Sequence, residues 1–249
     1  MADRPGLERR AFFRLCAAAA ATIAASPQLL AQEGGTARRY QRTRLVDAAD
    51  KPIRVADLQV GESYLFHYPY ISTPCFLLNL GRPAIQSTKL STEDGRSYLW
   101  AGGVGPGRAV VAYSAICAHK MTHPARAVSF INYRHSPVSF VGADHKRIRR
   151  EDVIYCCSEK SVYDPAQGAR VLGGPARQPL AAILLEYDGK DDSLAATGTY
   201  GGEMFDRFFR EFGSRLQLEH QVEDVRRKVG RTTAVVRLAD YCASQVLCG

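Results

Sequence analysis

The 249-residue sequence predicts an all-β fold with one helical extension at its C-terminal end, and two features predict it. Between about residues 46 and 200 the chain is made of short β-branched and aromatic runs separated by glycine and proline, the pattern of a sandwich or barrel. Past Gly201-Gly202 the apolar residues recur at helical spacing instead. A hydrophobic content of 46% beside 23% charged residues fits a soluble globular core and argues against a disordered chain.

Residues 1–31 read as a targeting segment. Arg9-Arg10-Ala11-Phe12-Phe13 precedes an apolar run from Leu15 through Ala25 and then Pro27, as in an export signal of the Tat type. The run falls short of the ~20 apolar residues of a confident spanning helix. It is expected either to be cleaved near Ala25 or Ala31 or to stay as a weak anchor, which places the protein in the periplasm, free or tethered to the inner membrane. Residues 32–45 form a polar, Arg-rich linker, and residues 46–200 the β domain. Its β-prone runs are residues 64–68, 75–80, 98–100, 109–113, 128–133, 138–141 and 182–187. His67 is expected to pack within its strand, and Cys75 to be a core residue.

Residues 201–249 form the C-terminal extension. Met204, Phe205, Phe208, Phe209, Phe212 and Leu216 give one apolar face, so a helix is expected over 203–229, docked on its own domain. Arg226, Arg227 and Lys228 would then sit at its C-terminal end, where cations suit the helix dipole. Residues 232–238 read as a last strand or extended tail. Seven cysteines are an odd number for an exported chain, so at least one is free or metal-bound. Cys242 and Cys248 either form a small disulfide or remain two thiols.

Two boxes carry the chemistry. The first is Ser114-Ala115-Ile116-Cys117-Ala118-His119-Lys120-Met121-Thr122-His123. The second is Cys156-Cys157-Ser158-Glu159-Lys160-Ser161-Val162-Tyr163-Asp164, followed by Gly168-Ala169-Arg170-Val171 and Gly174-Pro175-Ala176. Over about residues 50 to 190 this arrangement resembles the Rieske iron-sulfur family. The resemblance implies a β-sandwich with an inserted cluster-binding subdomain. It also implies a 2Fe-2S cluster with two thiolates on one iron and two imidazoles on the other, at roughly −150 to +300 mV. Cys117 and His119 would be the ligands of the first box. Ser161 and Tyr163 would hydrogen-bond to the cluster or its cysteine sulfur, raising the potential, while Gly174 and Pro175 cover it.

The second box departs from that family. Counted back from Ser161 and Tyr163, Cys156 is the thiolate and Glu159 stands where the second histidine belongs; counted from Cys157, Lys160 stands there. Neither register supplies an imidazole. A carboxylate from Glu159 would lower the potential, Lys160 would bind only as a neutral amine, and His123 is a surrogate that would have to swing in. Thr122 and Ser158 occupy the positions where quinol-oxidising relatives carry a loop-to-loop disulfide, Arg177 replaces a proline, and the 36 residues between His119 and Cys156 hold His123, His135 and His145.

The resemblance implies a single-electron carrier, a component of a respiratory oxidoreductase whose partner is a cytochrome or a membrane oxidoreductase subunit. The alternative is a degenerate structural or interaction subunit with an impaired or absent cluster. The net charge is +8; residues 1–31 supply +2 of it, and the remaining +6 is spread over the chain, which suits an acidic redox partner. No nucleic-acid motif is present. A Rieske oxygenase would need a further domain with two histidines and a carboxylate, yet only His220 follows residue 190.

Overall fold

The computed structural model describes residues 37–249. The export and anchor expectations for residues 1–31 lie outside the described residues. The described chain forms sixteen strands: β1 (Ala37–Val46), β2 (Tyr64–His67), β3 (Pro74–Asn79), β4 (Thr88–Ser91), β5 (Ser97–Trp100), β6 (Val110–Ser114), β7 (Ile131–Arg134) and β8 (Val138–Val141) in its first part. Then follow β9 (Arg147–Arg150), β10 (Val153–Cys156), β11 (Ser161–Asp164), β12 (Arg170–Gly173), β13 (Ala182–Asp188), β14 (Ser193–Tyr200), β15 (Thr232–Ala234) and β16 (Val236–Arg237). Two α-helices, α1 (Phe205–His220) and α2 (Leu238–Tyr241), complete it. The expected all-β class with a C-terminal helix is the observed one.

Eight strands form the main sheet in the order β15-β1-β14-β13-β6-β3-β2-β16. Because β15 and β16 are nearly continuous in sequence, residues 232–237 join both edges, and the sheet almost closes into a barrel that leaves few unpaired edges. Alternation sorts the side chains. Tyr64, Phe66, Cys75, Leu77, Val110 and Ala112 fill one core, whereas Leu65, Phe76, Leu78, Val111 and Tyr113 point to the other. Both faces are therefore buried, so β3 and β6 read as apolar runs instead of an apolar–polar alternation.

Between β6 and β13 the chain leaves the main sheet and builds a four-stranded sheet, β12-β11-β10-β7, with the β8–β9 hairpin beside it. This inserted unit covers the second core: Ile131, Tyr133, Ile154 and Tyr163 pack in the same cluster as Phe76 and Tyr113.

Three expectations change. Residues 37–45 are not linker, since β1 pairs with β14 and β15 inside the main sheet. The helix stops at His220: Gln221 turns into the left-handed region at φ 52°, and the Val222 N–H returns to the Gln217 carbonyl at 3.1 Å. Arg226 consequently lies past the helix, paired at 2.5 Å with Asp206 in the first helical turn and stacked over Phe209. The Phe-rich stripe docks internally, with Phe205, Phe208, Phe209 and Leu216 packed on Ile116 and Met121 of the first box. Among the described residues no helix is long and apolar enough to cross a membrane.

Candidate redox site

The first box is a tight loop at the end of β6. The Met121 N–H bonds the Cys117 carbonyl at 2.9 Å and the Cys117 N–H bonds the Thr122 carbonyl at 2.8 Å, with Met121 held at φ 56° and fully buried. This closes residues 117–122 into a turn that buries Cys117 and leaves His119 half-exposed. The second box is the hairpin loop between β10 and β11, in which Cys156 and Ser161 are the last paired positions. Gly174 backs that loop at φ 82°, and a Cβ there would collide with the Lys160 carbonyl, so the glycine allows the close approach.

The two loops bring Cys117 and Cys156 into contact, and both are free and buried. Each sulfur is the first influence on the other: Cys156 holds Cys117 well below the usual thiol range, and Cys117 holds Cys156 above it. Further donors converge on the pair. Tyr163 Oη lies 3.2 Å from the Cys117 sulfur while accepting the Ala118 N–H at 3.1 Å, and the His119 N–H also lowers Cys117. On the other sulfur the Glu159 N–H and the Thr122 hydroxyl act in the same direction. Burial, then the negative sulfur, pushes the Tyr163 hydroxyl up and keeps it protonated as a donor.

Beside the sulfurs stand His119 and Glu159, each 28% exposed at the side chain, with Nδ1 and Oε2 3.7 Å apart. Two polar atoms at this site are buried without a geometric partner, His119 Nδ1 and Ser161 Oγ. Ser161 still contributes to lowering Cys117. Buried unpartnered polar atoms are rare and point to a ligand, which these two atoms flank together with the sulfurs. Among the described residues, however, no group of three or more His, Cys, Asp or Glu side chains is assembled as a metal-ion site. The sulfur half fits an iron-sulfur centre; the opposite half has one imidazole and a carboxylate.

The remaining candidates are placed elsewhere. Cys157 forms a disulfide with Cys248, which removes it as a thiolate ligand and also replaces the considered Cys242–Cys248 pairing; Cys242 is a buried thiol. Lys160 lines a separate depression with Phe140, Tyr155 and Gly249 and sits at φ 61°. His123 is no surrogate: its Nδ1 bonds the Met121 carbonyl at 2.9 Å and its ring packs edge-on against Phe208 and Phe212. His135 pairs with Asp152 at 2.7 Å, and His145 lies in the β8–β9 turn. Pro175 lines a depression with His119, Lys120, Arg177, Arg207 and Glu93. Sequence reasoning missed the Thr122 hydroxyl on Cys156 and the Ala118 N–H on Tyr163, since neither has a local signal.

No family model matches this chain. It is similar in structure to the soluble domain of the Rieske protein II (soxF) from Sulfolobus acidocaldarius, at 22% identity and a TM-score of 0.43, over 66% of this chain and 82% of that one.

Proposed function

We propose that this chain is a Rieske-type electron-transfer protein whose centre is anchored on Cys117 and Cys156. One observation carries the reading: two buried free cysteines from separate loops come together, each supplied with N–H and O–H donors, beside His119, whose buried Nδ1 makes no hydrogen bond. Cys117 and Cys156 would hold one iron, and His119 the other with the Glu159 carboxylate beside it. The bound cluster supplies reversible uptake of a single electron. The protein's own work is electrostatic. Tyr163, Thr122 and the loop N–H groups offset negative charge on sulfur, and the surrounding core excludes water from it.

His119 and its loop mark the exposed edge of the site. Lys120, Arg177 and Arg207 surround the depression there, which supports an acidic redox protein as the partner, in the role of a subunit or partner of an oxidoreductase. The twin-arginine segment supports export to the periplasm, with the N-terminus as a tether if retained, and a disulfide between Cys157 and Cys248 suits an oxidising compartment. Anaerobic purification with iron and sulfide analysis and EPR tests the reading. Two irons per chain and a Rieske-type signal are expected; a folded protein without iron would sink it.

Glu159 in place of a second imidazole favours the other reading, a retained fold that serves as an interaction subunit without a cluster. The same measurement separates the two.

A further inference from the structure

Residues 243–249 belong to no helix and to no strand of the main sheet, yet they are held closely. Residues 243–249 run along residues 126–134, the start of the insertion that carries the second box. The Ala243 N–H bonds the Arg126 carbonyl at 2.7 Å, the Ser129 N–H bonds the Ser244 carbonyl at 2.9 Å, and the Val246 N–H bonds the Ser129 carbonyl at 2.9 Å. Ser129 and Gln245 pair as in a parallel sheet. Asn132 Nδ2 donates to the Val246 carbonyl at 2.9 Å, and the Arg134 guanidinium to the Cys248 carbonyl at 2.5 Å. At the end of this run Cys248 is bonded to Cys157, with Cα atoms 5.8 Å apart.

Cys157 is the residue after Cys156, and its own N–H is fixed to the Phe130 carbonyl at 2.6 Å. The tail and the disulfide therefore end on the backbone that aims Cys156 at Cys117. The loop they hold is short and half open to solvent, with Ser158 and Lys160 exposed. Thr122 and Ser158 offer no covalent brace between the boxes.

We propose that residues 243–249 form a covalently locked strap over the second box, and that Cys248 is a positioning residue for Cys156. The role of Cys156 rests on the electron-transfer reading; the strap itself does not. Without the disulfide the loop opens locally at little cost to the rest of the fold, because local opening is governed by local contacts. A dithiol can produce the same state: it donates two electrons and two protons, the Cys157–Cys248 bond becomes two thiols, and the dithiol is oxidised to its disulfide.

Thiol alkylation at fixed pH, followed by mass spectrometry on the full-length chain, tests this, with Cys75 in the barrel core as internal reference. In iron-free protein, a Cys157→Ser/Cys248→Ser double variant and wild-type protein treated with dithiol should both show Cys156 alkylated about tenfold faster while Cys75 is unchanged. Asn132→Ala, which loosens the strap without touching a cysteine, should shift Cys156 in the same direction by less. In iron-bearing protein the readout is iron loss to a chelator, faster in the double variant. Equal acceleration of Cys75 and Cys156, or no change in either, would overturn the strap. Absence of iron from every preparation would remove the electron-transfer reading and leave the alkylation result standing.

Discussion

The sulfur side and the imidazole side of the site are built to different standards. Cys117 and Cys156 lie in the main hydrophobic cluster, and each sulfur meets several donors fixed by strands or tight turns. His119 and Glu159 lie in loops, more than a quarter exposed, and the Glu159 contacts with His119 and with Lys120 are each 3.7 Å long. Exposed pairs at that separation contribute little. On the proposed electron-transfer reading the sulfur side is the fixed half, and the imidazole side is where charge, and with it the potential, would be altered without disturbing the fold.

The largest expected effect separates adjacent residues. Cys156→Ser should abolish iron incorporation, while Cys157→Ser should keep iron and lower the unfolding free energy by about 3 kcal/mol through loss of the disulfide. Metal analysis and denaturant titration of both variants decide it, and the opposite outcome would shift the register to Cys157 and Lys160.

A histidine in neither half calibrates effects on the fold. His67 packs against His220 and Tyr241 with its Nε2 sealed and making no hydrogen bond, and burial, with smaller contributions from His220 and Arg126, holds its pKa down at about 3. The unfolded chain takes up this proton near pH 6.5 and the folded chain only near 3. Stability from His67 is therefore complete above 6.5 and is lost as the pH falls to about 3, on the order of 2–4 kcal/mol. His67→Phe should flatten that part of the stability–pH curve while iron content and EPR stay as in the wild type.

Within the imidazole side, Glu159→His exchanges an anion for a neutral ring and should raise the midpoint potential on the order of 100 mV. Lys160→His should leave it in place, because that residue lines a different depression from His119. A null result for Glu159→His in redox titration would show that this side does not tune the centre. On the sulfur side, Tyr163→Phe should retain iron and lower the potential by roughly 60 mV, the one-electron equivalent of a hydrogen bond of about 1.4 kcal/mol to a charged sulfur. Protein-film voltammetry resolves a change of that size.

Much of the fold is legible in the residues. Strands β6 and β8 are rich in β-branched or aromatic residues, and β3 and β13 are short apolar runs, so all four stand out. Strand β14 does not: it contains Ala195, Ala196 and Gly198, all eight positions are buried, and a Cβ at Gly198 would come within 2.5 Å of the Arg38 carbonyl of β1. Small residues are required there by neighbours distant in sequence, so propensity misreads them. Strand β1 is hidden for a related reason, since Arg38, Arg39, Arg42 and Arg44 look like linker until β14 and β15 supply ladder partners. The Phe stripe announces α1 correctly, but the stop at Gln221 follows from a single left-handed residue.

The same division holds at the site. Cys117, His119, Ser161 and Tyr163 are fixed by short spacings, because a turn and a strand place neighbouring residues at set distances. The choice between Cys156 and Cys157 was open in the sequence, where both are cysteines in one loop. Alternation along β10 buries Cys156 against Cys117, and a partner 91 residues away claims Cys157. By itself the sequence determined the all-β class and the placement of the two boxes, products of local periodicity and spacing, while the chemistry expected of the boxes came from their resemblance to a family. Only the tertiary structure decided which sulfur meets Cys117, which side chain stands beside His119, and where residues 243–249 are tied, because those are contacts across loops that no local spacing encodes.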